Sequence, residues 1–298
     1  MNNAIDDIKN YYKPYRLTKK KNVTIIDSTS GSFVIKEKSN SKVRDAYNYL
    51  LSRNFDYFPK LASDLRDDVN IFEYIDEVDT PKEQKALDMM EVVALLHNKT
   101  TFYKEISEDK YKEIYENLKN NILYTKNFYD NLYNILIEEI IPSPSHYLIL
   151  RNIYKIFDAI GFCNDQIDKW YDSIKDELKT RVAFVHNNLE TDHFIRNTQG
   201  YLISWEKSKI DSPILDLIIF YQKEYMNFDF ESIFNKYMKS YPLNDNEKRL
   251  LFVVLSIPPI VDLEGAELIV VKNIRKKLDY VFKTENLVKS FMVNNEDI

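Results

Sequence analysis

Cysteine, glycine and histidine are scarce in this chain of 298 residues, which has one, four and four of them. The lone Cys163 excludes an internal disulfide and any zinc site built on cysteines. A chain without disulfides suits a reducing compartment. Long apolar runs are missing too: no stretch approaches the roughly 20 residues that a membrane-crossing helix needs. The opening stretch MNNAIDDIKNYYKPYRL is polar and acidic, unlike a secretory signal. There is no basic excess, since 41 Lys and Arg against 47 Asp and Glu leave a formal net charge of -6. That balance argues against a general nucleic-acid binder, whose surface must neutralise phosphates. The run Lys19-Lys20-Lys21 is too short to alter this and reads as a solvated hairpin end. A soluble, cytoplasmic protein is expected, with no nucleic-acid and no membrane partner.

What is present is an ordinary apolar content of 44%, enough for a real core at this length. The first quarter reads as strands around one helix. NVTIIDSTSGSFVIKEK (22–38) holds two β-branched and aromatic runs separated by the turn cluster DSTSGS. SKVRDAYNYLLSRN (41–54) puts Val43, Ala46, Tyr47, Leu50 and Leu51 on one helical face. FPKLASDLRDDVNIFEYID then gives two short extended segments with a turn around Arg66–Asp68. From Thr80 onward the patterns are helical, with Pro81 at a first-turn position. The spacing predicts helices over 81–100, 108–140, 148–160, 164–180, 212–239, 245–256 and 263–283, with a hairpin-like insertion at about 184–205. The expected organisation is an α+β, bilobal arrangement: a β-rich lobe over 1–72, a hinge over 73–79 and a helical lobe over 80–298.

In order and spacing, these residues resemble the aminoglycoside phosphotransferase and choline kinase-like superfamily, closest in character to the spore-coat-associated kinase-like proteins of sporulating bacteria. Lys36 in FVIKEK stands where the family carries a strand lysine that contacts nucleotide phosphates, and Asp45 where a helix acid pairs with it. IFEYI, with Glu73 and Tyr74, resembles the hinge that holds the adenine, and VVALLHNKT the helix ending in Leu-His. His186, Leu189, Trp205, Pro213 and Asp216 keep their family identities. The resemblance implies a protein kinase-like fold, with ATP and Mg²⁺ as the family's cofactors. His186 and Asp216 correspond to a brace for the loop rather than to reactants. Lys36 and Asp45 read as a structural tie between strand and helix, with retained nucleotide contact as the alternative. His97 and His146 receive no role.

The family loop reads His-Gly-Asp-x-x-x-x-Asn, followed after a strand by an Asp before an aromatic. Here those positions are Asn188, His193 and Ser204, within the segment 184–206. An amide orients a hydroxyl but takes no proton, and loss of a general base costs about 10²–10⁴ in rate. Ser204 is a neutral donor where Mg²⁺ wants anionic oxygen, and the imidazole of His193 suits zinc, copper or nickel better. No glycine stands within 16–26 to let backbone amides approach a phosphate. Glu190, Asp192, His193 and Glu206 are close enough in sequence for a relocated metal site, or are solvated loop charges. Three functions follow from the resemblance. One is a pseudokinase that binds or assembles, with sporulation or coat proteins as partners and a spore-associated location. Another is an active phosphotransferase on a small hydroxylated molecule, using the rearranged metal site. The third is a metal-independent sensor of a small molecule in the cleft.

Overall fold

The computed structural model describes residues 11–20, 23–37, 42–63 and 69–292. Lys21 of the lysine run and the expected turn at Arg66–Asp68 lie outside them. In chain order the elements are β1 (Arg16–Lys20), β2 (Val23–Ser28), β3 (Gly31–Glu37), α1 (Lys42–Ser52), β4 (Leu61–Ser63), β5 (Val69–Glu73), α2 (Lys82–Thr100) and β6 (Phe102–Glu105). Then come α3 (Glu108–Leu136), α4 (Pro144–Ile174), β7 (Lys179–Val185), β8 (Phe194–Arg196), β9 (Gly200–Leu202) and β10 (Lys209–Asp211). Four helices close the chain: α5 (Ile214–Glu224), α6 (Phe230–Ser240), α7 (Asp245–Ser256) and α8 (Glu267–Met292).

The chain divides into two compact units. The first takes the residues up to Thr100 together with Phe184–Ile210. This unit thus holds α2 and the 184–210 segment together with the strands of the first quarter, and α2 packs against β8 and β9. Within this unit a five-stranded antiparallel sheet runs in the order β1-β2-β3-β5-β4. Gly31, at φ +126°, closes the β2–β3 turn in a conformation that L side chains rarely adopt. Ser32 Oγ donates to Asp27 across that turn at 2.7 Å. Alternation sets the two faces: Tyr12, Ile26, Ile35 and Ile71 form one small core. On α1 the buried residues are Val43, Ala46, Tyr47 and Leu50, and the Tyr47 ring lies 4.1 Å from Phe58.

The second unit holds Thr101–Ala183 and Asp211–Ile298. Its core is organised on α4, whose buried residues Ile149, Ile153, Ile156, Ile160, Cys163, Ile167, Trp170 and Ile174 recur every three or four positions. This stripe explains a difference from the expected pattern. Two helices were expected over 148–160 and 164–180, yet one continuous helix forms. Gly161 costs about 1 kcal/mol inside a helix, less than burial of the apolar stripe on both sides of it supplies. The helix ends at Ile174 and the β-branched run after Lys179 goes to β7 instead. The opposite happens at 212–239, where Asp229 caps α6 by accepting from Glu231 N–H, and the expected single helix splits in two. Arg181 joins β7 to α7 through Glu247, at 2.8 Å from its Nε. It also lies over the Tyr241 ring at 4.5 Å.

Candidate functional site

The site is built within the first unit, from the loop after β7. The buried end of β7 delivers His186, which is fully enclosed. Its Nε2 meets the Ile203 carbonyl at 2.8 Å, so Nε2 carries the hydrogen and donates. Its ring meets the Trp205 indole edge-on at 4.8 Å. Trp205 in turn donates Nε1–H to Leu202 O at 2.8 Å and lies among Phe55, Phe58 and Phe184. The loop thus hangs on a buried aromatic cluster. Asn187 (φ 57°) and Ser204 (φ 69°) both sit in the left-handed region, which costs a non-glycine residue roughly 1–2 kcal/mol. Asn187 is held there partly by its side-chain donation to Lys207 O at 3.0 Å.

The hairpin of β8 and β9 is fastened to its neighbours by specific contacts. Gly200 passes so close to Phe194 that an added Cβ would lie 2.3 Å from the ring. Arg196 pairs with Asp88 of α2 at 3.0 Å. The segment after β5 is pinned to this hairpin, with Val78 N–H donating to Arg196 O at 2.8 Å and Asn197 Nδ2 to Asp76 O at 2.5 Å. A cavity of about 150 Å³ lies beside these elements. Val23, Val34, Phe72, Ile203 and Trp205 supply apolar walls, and Lys36, Glu73, Tyr74, Ser204 and Glu206 also line it.

Lys36 makes its ion pair with Glu206. This corrects the expected tie between Lys36 and Asp45: Asp45 is exposed on α1, on the side away from the buried face. Burial pushes the Glu206 carboxyl up, but the hydrogen bond from Lys36, its own backbone N–H and the ammonium charge outweigh this and hold it below the usual carboxylate range. Burial, with the Glu206 charge added, pushes the neighbouring Tyr47 phenol far up. Glu206 was named at first as a candidate metal ligand; the structure commits it to a cation instead.

His193 acts electrostatically on Glu206 and contacts Glu190, but no set of three ligands forms with it among the described residues. His193 Nδ1 must donate to the Asn188 carbonyl, 2.7 Å away, which leaves Nε2 as its one lone pair. That nitrogen faces the Glu190 carboxylate at 2.9 Å. Asp192 is exposed. Among the described residues no three His, Cys, Asp or Glu side chains converge to hold an ion. The donor set at Asn188, His193 and Ser204 therefore does not fit a divalent cation carrying a triphosphate: it offers an amide, a committed imidazole and a strained hydroxyl. Asp216 is buried in the first turn of α5, in the second unit, where its charge helps raise the already buried Tyr237 phenol.

Sequence reasoning reached Lys36, Glu206, Ser204 and the hinge, but not the pairing of the first two. The β2–β3 register, with Val23 opposite Lys36, places Lys36 beside the apolar wall.

No family model matches this chain, and no curated protein does. Solved structures do match. An aminoglycoside phosphotransferase from Alicyclobacillus acidocaldarius aligns at a TM-score of 0.67 with 9% identity, over 93% of this chain and 92% of that one. A spectinomycin phosphotransferase aligns at a TM-score of 0.50 with 14% identity, over 95% and 98%. A choline kinase from Streptococcus pneumoniae aligns at 0.47 with 15% identity, over 97% and 99%. The fold is the kinase-like fold of that aminoglycoside phosphotransferase: a small antiparallel sheet toward the N-terminus and a helical C-terminal part. No helix among the described residues is long and apolar enough to cross a membrane.

Proposed function

We propose that this chain is a pseudokinase: a kinase-like protein that keeps a small-molecule cavity in its first unit and acts by binding or assembly rather than by efficient phosphoryl transfer. The observation that carries this reading is the engagement of Glu206 with Lys36. The Glu206 carboxylate, two residues after the serine-substituted metal position, is engaged by the lysine at the family's phosphate-contacting position. Phosphoryl transfer depends on positioning and charge neutralisation, and both are compromised at once. The spectinomycin phosphotransferase was captured with ADP and spectinomycin. By analogy, the ring of an adenine-type ligand is the occupant we assign to the cavity beside Phe72 and Trp205. The resemblance to spore-coat-associated kinase-like proteins is the ground for assigning the assembly role to coat formation, with sporulation or coat proteins as partners.

A thermal-shift titration with ATP tests the reading. A ligand at a hundred times its Kd stabilises by about 2.7 kcal/mol. The expected result is no additional rise in melting temperature when Mg²⁺ accompanies ATP. A large magnesium-dependent rise, with ATP consumed in the presence of a hydroxylated acceptor, would restore the active phosphotransferase with a rearranged site as the better description.

A further inference from the structure

We propose that a cavity between α4 and α8 is a second ligand site, suited to an uncharged, mainly apolar molecule that carries a hydroxyl or carbonyl oxygen. It lies wholly in the second unit and shares no residue with the cavity around Lys36, so it stands apart from the function proposed above.

Its size and walls suit a small molecule. The cavity holds about 340 Å³, within the ~300–1,000 Å³ of ordinary ligand pockets. Along α4 the lining runs from Lys155 to Gln166, roughly 16 Å at 1.5 Å per residue. The core takes another face of the same helix, where Ile153, Ile156, Ile160 and Cys163 are buried. Carbon dominates the walls, from Ala159 and Phe162 on α4 to Val281, Val288 and Met292 on α8. Pockets that bind organic molecules combine such walls with a few fixed polar groups.

The polar groups here are few, and two of them are unspent. The Thr284 hydroxyl is taken by Tyr221 at 2.8 Å. Ser256, the last residue of α7, lines the cavity and is buried, at 8% exposure. Its hydroxyl has no hydrogen-bond partner among the described residues. A buried hydroxyl left in that state is costly, and water answers it poorly, because a held water needs two to four polar neighbours. A ligand oxygen fills the role while the rest of the molecule covers the carbon walls. Gln166 supplies a second donor. Its Oε1 accepts from Arg249 Nη1 at 2.7 Å. A guanidinium only donates, so the amide is fixed in this orientation and its Nε2 hydrogens are left over.

Charge sets the class of molecule. Lys155 and Lys289 are balanced by Asp158 and Glu285 around the lining, so the cavity has no net sign with which to attract an ion. The unspent donors are neutral as well. A charged head brought to Ser256 and Gln166 exchanges its water for neutral partners, which is expensive; a hydroxyl or carbonyl gives up far less.

Isothermal titration of the full chain with 1-decanol, decanoate and decylamine, each below its micelle concentration, tests the proposal. One saturable decanol site per chain is expected, with both ions at least ~10-fold weaker. Ala159→Phe fills the cavity and should weaken decanol at least ~10-fold. Ser256→Ala keeps the walls but removes the hydroxyl, and should weaken decanol about 2- to 10-fold. Melting curves establish that the variants fold; Ser256→Ala breaks no hydrogen bond within the described chain, so its melting temperature should not fall. Leu123→Ser, at an exposed position on α3 outside the cavity, controls for adsorption and should bind decanol as the wild type does. No saturable decanol binding up to the solubility limit overturns the inference, and so does an ion that binds as tightly as decanol. Folded cavity variants that bind like the wild type, or a Leu123→Ser loss as large as theirs, overturn it equally. None of these outcomes touches phosphoryl transfer, and the wild-type series stands as a test without any variant.

Discussion

Replacing Trp205 probes how the loop is held. The indole is buried, at 1% exposure, and its ring has four aromatic neighbours. His186 is at 4.8 Å, Phe55 and Phe184 at 6.2 Å and Phe58 at 6.3 Å. Its Nε1–H is donated to the carbonyl of Leu202 at 2.8 Å, and Leu202 is itself buried. Trp205→Phe keeps an aromatic ring among the others but leaves that carbonyl without its donor. The cost of an unsatisfied buried acceptor is about 1–3 kcal/mol. Trp205→Ala removes the whole ring, for which about 3–5 kcal/mol is usual. Urea unfolding followed by circular dichroism measures both, and an unchanged m-value confirms that stability rather than compactness was altered. Because the chain has only two tryptophans, the emission of Trp170 remains as an internal reporter. A Trp205→Phe variant within about 0.5 kcal/mol of wild type, the range of an ordinary surface change, would refute the claim that this side chain anchors the loop.

Three further outcomes follow from the same geometry. Gly200→Ala drives a methyl into the Phe194 ring and should destabilise by about 1–3 kcal/mol, as overpacking does; a neutral urea midpoint would show that the hairpin yields easily. Glu206 has its carboxyl held below the usual range in the folded chain. Its contribution is therefore full above the unfolded value and fades as pH falls through the folded one. The stability gap between wild type and Glu206→Gln should then shrink as pH falls through and below the ordinary carboxylate range; a gap that widens on acidification contradicts the ion pair. Cys163 is fully buried, and burial pushes its thiol up to about 12. It should resist a thiol-disulfide reagent near pH 8 until denaturant is added; complete labelling of the native chain within minutes would be the contrary result.

Local patterns were strong enough to make much of the fold legible. The β-branched and aromatic runs in Val23–Ser28 and Gly31–Glu37 point to their strands, and four of the five residues expected on one face of α1 are buried, Leu51 being exposed. Gly161 looked like a break and was overridden by the buried stripe of α4, while Asp229 made a real one that apolar periodicity concealed. In the site, the residue types at Asn188, His193 and Ser204 were readable, and so was their poor match to magnesium. The partner of Lys36 was not. Side chains far apart in sequence compete for one cation, and the winner depends on which carboxylate the folded loop brings within reach. The left-handed backbone at Ser204, which turns the chain just before Glu206, has no signature in sequence because only glycine advertises that conformation.

Direct measurement of phosphoryl transfer bears most closely on the account. Purified chain would be incubated with ATP and Mg²⁺ or Mn²⁺ and a panel of hydroxylated acceptors, with ADP formation followed against a heat-inactivated control. The account predicts a rate indistinguishable from the control. Sustained ADP formation that disappears in Glu206→Gln would contradict it, because that carboxylate would then be serving a metal and not Lys36.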